Sequence, residues 1–170
     1  MKTFASQFVM SFLAGVALLA CVAATPEQTA GSELRLGTAA VKITPPTGIP
    51  MAGYYSRRDS EGVLDDIYAK AAVFDDGKTK AAMVVCDLIG LPRSIALEAR
   101  RIVEQKTGIP ADRVMISVTH THTAPVVLGG SSRDEAATGG SQLSKDYAKQ
   151  LPEWIAEAVA AADKRRAPAS

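Results

Sequence analysis

The sequence predicts an α/β protein, a mixed sheet built around a βαβ unit with flanking helices, and it predicts that this unit is a fragment of a larger α/β domain. Three observations carry the reading. Apolar runs of strand length at 81–89 and 114–118 lack the polar alternation of a strand with one wet face, so both are expected to be covered on both faces. Between them Ile95, Ala99, Ile102 and Lys106 recur at helical spacing, with Leu91 and Val103 beside them, which marks one amphipathic helix. A second amphipathic stretch, from Tyr147 to Ala162, is followed by nothing that reads as a strand, although such a helix in an α/β chain ordinarily leads into one.

Taken from the start, Lys2 provides a positive end, Phe8 to Ala20 is almost uniformly apolar, and Val22-Ala23-Ala24 are small. That is the pattern of a secretory signal peptide over residues 1–24, cut before Thr25. The apolar stretch is short and holds Ser11 and Gly15, which argues against a spanning helix of about 20 apolar residues. A second cleavage route stays open, because Leu18-Leu19-Ala20-Cys21 resembles a lipoprotein signal in which Cys21 becomes the lipidated N-terminus, although Leu19 is not the small residue preferred there. Both routes predict a protein that works outside the cytoplasm, secreted or periplasmic in the first case and lipid-anchored through Cys21 in the second.

Residues 25–33 read as a small polar leader, and the folded unit is expected over 34–170. The run 36–43 is a predicted strand, stopped by Thr44-Pro45-Pro46, since neither proline can donate a ladder hydrogen bond. Residues 47–66 carry three glycines, Pro50, Tyr54, Tyr55 and the pair Arg57-Arg58, and are expected to form a loop that covers something. Strands are predicted at 69–74 and 81–89, joined by the hairpin turn Asp75-Asp76-Gly77-Lys78. The helix after them opens at Pro92 and closes at Gly108, and the strand 114–118 then completes a right-handed crossover between parallel strands. Four glycines and four serines make 128–144 a long expected loop. The last helix contains Pro152, a place for a kink, and ends on Lys164-Arg165-Arg166, where positive charge suits a helix C-terminus.

Charge excludes one class of partner. With 19 Lys+Arg against 18 Asp+Glu there is no basic field for a phosphate backbone, so no nucleic-acid partner is expected. Two cysteines, one of them in the export segment, imply no disulfide framework, and Cys86 is expected to be a buried small hydrophobe. Neither a phosphate-binding glycine loop, nor a Gly-x-Ser-x-Gly elbow, nor a Cys-x-x-Cys pair occurs.

The candidate chemistry lies in Thr119-His120-Thr121-His122-Thr123, directly after the strand at 114–118, and its two histidines are the only ones in the chain. In extended backbone residues i and i+2 project from one face, so both imidazoles can serve one site, and ligands of open α/β sheets bind beyond the carboxyl ends of parallel strands. Asp87 ends the neighbouring strand. It can orient a metal-bound histidine through the free ring nitrogen, or it can cap the turn that leads to the helix at Pro92. A surface His-x-His with no metal is the competing reading of the pair.

These residues carry a resemblance. The runs Ala39-Ala40-Val41-Lys42-Ile43-Thr44-Pro45-Pro46, Met51-Ala52-Gly53-Tyr54 and Val84-Val85-Cys86-Asp87-Leu88, and above all Val114 to Pro125, resemble in order and spacing the N-terminal part of the neutral/alkaline, non-lysosomal ceramidases. The likeness extends over about residues 36–166, and at its most specific point Thr123-Ala124 stand where the family has Ser-Gly. Members are secreted or membrane-associated zinc amidases that cleave ceramide, N-acylsphingosine, into sphingosine and a fatty acid. The resemblance thus implies a sphingolipid hydrolase with zinc as cofactor, a ceramide-like lipid amide as partner, and contact with a membrane surface. It implies His120 as zinc ligand, His122 as catalytic neighbour and Asp87 as a supporting carboxylate. The family's second zinc histidine, its carboxylate and tyrosine ligands and an active-site arginine come from later sequence, and no third histidine is present here. Two alternatives accompany this reading: a non-catalytic exported or lipid-anchored binding module that keeps the family core, and the same scaffold acting on another amide or ester.

Overall fold

The computed structural model describes residues 33–127, 136 and 138–169. The expected signal peptide, Cys21, nearly all of the polar leader and most of the glycine-rich stretch at 128–137 lie outside the described residues. Five strands form one sheet: β1 (Arg35–Lys42), β2 (Tyr68–Asp75), β3 (Lys80–Cys86), β4 (Val114–Val118) and the two-residue β5 (Ala167–Pro168). Their order is β4-β3-β2-β1-β5. The β1–β2, β2–β3 and β1–β5 pairs are antiparallel and β3–β4 is parallel, which is the mixed sheet the sequence predicts.

Helix α1 (Arg93–Thr107) occupies the crossover between β3 and β4. It follows Pro92 and ends at Gly108, whose φ of 70° is the left-handed conformation that closes a helix cheaply only with glycine. Its buried stripe is Ile95, Ala99 and Val103, with Ile102 half-buried at the side. Lys106, expected on that stripe, stands at the surface and pairs with Glu153. A single 3-10 turn, Ala111–Arg113, leads into β4. Helix α2 (Gln142–Lys164) runs through Pro152 as one element and starts inside the stretch expected to be loop to residue 144. It packs on α1 and across β1, β2 and β3. Ile43, Val73, Val84, Val103, Leu151, Ile155 and Val159 are fully buried between the layers. Each such aliphatic side chain contributes about 1.5–3 kcal/mol by leaving water. The buried Tyr147 hydroxyl donates to the Ile43 carbonyl at 2.7 Å, and burial raises its pKa far above the ordinary phenol value.

Two expectations are corrected. A strand does follow the second helix: β5 lies antiparallel to β1, held where Arg166 reaches Asp75 and Asp163 at 2.8 Å each and Ala169 N–H donates to Leu34 O. It is only two residues long, and an ion pair at the helix end places it, so no hydrophobic run announces it. The central strands, in turn, are not covered on both faces among the described residues. In β3, Ala82, Val84 and Cys86 are buried, while Met83 is 42% exposed, and Met115 beside it on β4 is 47% exposed. Met83 and Met115, with the partly exposed Ala81 and Val85, put apolar residues on the wet side and hid the alternation. Among the described residues no helix is long and apolar enough to cross a membrane.

Candidate functional site

The site lies beyond the C-terminal ends of β3 and β4, where Cys86 and Val118 stand in parallel register. Thr119 N–H extends the ladder by one bond to Cys86 O at 3.0 Å, and then the chain turns. His120 has a φ of 60°, the only left-handed non-glycine backbone among the described residues. Its ring Nδ1 lies 2.7 Å from Ile89 O. A carbonyl can only accept, so Nδ1 carries the proton and the lone pair of the neutral ring sits on Nε2, free for a ligand.

The His120 and His122 rings meet edge to face with centroids 5.2 Å apart and planes at 76°. The expectation that both serve one place is met geometrically, but through a turn over 121–124 instead of an extended i, i+2 pair. Both side chains are exposed.

Asp87 is engaged elsewhere. Its Oδ2 accepts from Tyr68 N–H at 3.0 Å and from Lys70 Nζ at 3.1 Å, while its own N–H donates to Tyr68 O at 2.9 Å. The carboxylate therefore anchors the first residues of β2. It does not cap α1, whose N-terminus is Pro92 with no side-chain cap bond. The acceptor that orients His120 is the Ile89 carbonyl, a backbone group on the connection after β3, which no side-chain pattern could have revealed.

The loop at 47–66 does border a cavity. Among its walls are Tyr54, Arg58, Leu64, Asp87, Thr121 and Thr123, around an open volume of about 660 Å³. The two wall threonines alternate with the histidines along the chain, and neither histidine is among the lining residues. Leu64 is fully exposed at the rim and Tyr54 is 40% exposed. The loop is tied to the histidine segment by an antiparallel bridge between Met51 and Pro125, made of two hydrogen bonds at 2.9 Å, Ala52 N–H to Ala124 O and Val126 N–H to Pro50 O. Gly53, at the end of this pairing, lies directly against His122.

As donors for a metal ion, the described residues contribute two imidazoles. No group of three His, Cys, Asp or Glu side chains stands together among them. Cys86 does not add a thiolate: burial, with a smaller effect of the neighbouring Asp87 charge, pushes its thiol up to about 12.

No protein-family model matches the chain. Among the solved structures that share its fold are two ceramidase structures. One is the neutral ceramidase from Pseudomonas aeruginosa, the other a ceramidase complexed with C2, each with a TM-score of 0.72 and 22% identity over 80% of this chain. The chain spans 22% of the length of either structure, so the βαβ unit corresponds to part of a larger domain, as the sequence predicts.

Proposed function

We propose that the chain forms part of a zinc-dependent amide hydrolase of the ceramidase type, exported from the cytoplasm, which splits the N-acyl amide of a ceramide-like lipid into a long-chain amine and a fatty acid. The observation that carries the reading is the His120 ring, whose Nδ1 is held by Ile89 O so that Nε2 is left to bind a ligand, with the centroid of a second imidazole 5.2 Å from its own. Likeness of fold to the two ceramidase structures supports the same assignment.

In this reading Nε2 of His120 is one zinc ligand and the remaining ligands come from outside the described residues, since a catalytic zinc site takes about three protein ligands. Zinc, when bound, would polarise the amide carbonyl and acidify a water. His122 holds the reacting amide or moves a proton at it, and the Ile89 carbonyl keeps His120 in one tautomer. The cavity beside the pair, with Tyr54 and Leu64 at its rim, offers apolar surface to the hydrocarbon part of a substrate.

The test is the metal content and turnover of the full-length protein. His120→Ala is expected to lose bound zinc, whereas His122→Ala keeps it and loses about 10²- to 10⁴-fold in kcat, the range of a general acid–base group. Unchanged zinc in His120→Ala overturns the ligand assignment. Comparing a ceramide with a short acyl amide separates a lipid amidase from an enzyme for another amide, and the N-terminal residue, Thr25 or lipidated Cys21, separates the two export routes. A second reading, an exported binding module without catalysis, has in its favour the lack of a three-ligand cluster among the described residues. Zinc binding at well under one ion per chain, with no turnover, would support it.

A further inference from the structure

We infer that Gly53 is the positioning residue of His122: the lack of a side chain at Gly53 is what lets the His122 imidazole sit against His120. The inference rests on the proposed role of His122 for its functional meaning, but its geometry stands independently. Antiparallel pairing of 50–52 with 124–126 carries the loop up to the histidine segment, so the next residue must pass it at close range. A Cβ placed on Gly53 would lie 2.6 Å from His122 Cβ, 2.7 Å from Cγ and 2.8 Å from Cα. Rotation about χ1 would carry Cγ away but leaves Cα and Cβ where they are, both under 3.0 Å, so the whole residue would have to move.

Gly53 also has a φ of 88°, so conformation alone would favour glycine there. Gly48, in the same loop, separates the two effects. Its φ is 90°, and an added Cβ meets only Leu143 Cδ1 at 3.9 Å, an ordinary contact. Gly48→Ala therefore bears the backbone cost alone, and Gly53→Ala bears that cost plus displacement of His122.

Because the chain has only two histidines, the imidazole protons form a clean set in the NMR spectrum of the full chain. Edge-to-face rings 5.2 Å apart should exchange a nuclear Overhauser effect in the wild type. It should persist in Gly48→Ala and vanish in Gly53→Ala, with the His122 ring resonances shifted and the strand amides unchanged. A folded Gly53→Ala that keeps the ring-to-ring effect and the His122 shifts overturns the inference, as does loss of the effect in both variants. Should Gly53→Ala not fold, Gly53→Ala combined with His122→Gly decides. Any gain in folded, soluble protein over Gly53→Ala alone supports the contact, because the second change removes two of its three close approaches, and no gain overturns it. No turnover is measured, so failure of the amidase reading leaves this result interpretable, and the reverse also holds.

Discussion

At His120 the backbone takes a left-handed turn that costs an L-residue roughly 1–2 kcal/mol, and the bond from Nδ1 to Ile89 O offsets part of that cost while selecting the tautomer. Strain at one residue thereby becomes a ring of defined orientation. Asp87 lines the cavity and also accepts from the first backbone N–H of β2, a bond that no local pattern announces. Removing it leaves that half-buried donor without its acceptor. Asp87→Ala is expected to lose about 1–3 kcal/mol in urea denaturation, with little of this from Lys70, whose side chain is 58% exposed. Zinc content of the full-length protein should be unchanged. A fall in zinc at unaltered stability would instead return Asp87 to the role of orienting a ligand.

Among the elements, the packing of α2 over β1 depends on a residue with no side chain. A Cβ on Gly37 would run into the carbonyl oxygen of Ala162 and lie 2.9 Å from the backbone N of Arg166, so helix and strand approach as closely as their backbones allow. Gly37→Ala should destabilise the fold by about 1–3 kcal/mol through overpacking. A thermal melt equal to wild type would show that the helix end shifts freely. The same helix end holds Arg166 and Asp163, which bind Asp75 and Lys80 and so join the β2–β3 turn, α2 and β5. The limits of α1 were legible because Pro92 and Gly108 act locally, whereas the start of α2 inside the expected loop was not. The place of β5 was not, since it depends on an ion pair between residues 91 positions apart in sequence.

At the scale of the whole sheet, α1 and α2 cover one face. On the other, Thr38, Ala72, Met83 and Met115 form one row across four strands, and both methionines are substantially exposed. Exposed contiguous apolar surface promotes association. Met83→Lys combined with Met115→Glu, an opposite-charge pair on adjacent strands, should reduce concentration-dependent light scattering of the 170-residue chain and leave the melting temperature nearly unchanged. A melting temperature lowered by many degrees would mean that the methionines are packed in solution.

Among the described residues, the fold class, the strands β1 to β4, the helices α1 and α2 and the position of the histidine pair at the end of β4 were legible in the sequence. Those features follow from hydrophobic period, proline and glycine punctuation, and the period-2 geometry of strands, all of which act over a few residues. Tertiary structure alone decided which carbonyl orients His120, what Asp87 binds, how closely Gly53 must pass His122, and which sheet face is wet. Each of these depends on backbone groups or on residues distant in the chain meeting in space, and a linear pattern of residue types holds no record of such meetings.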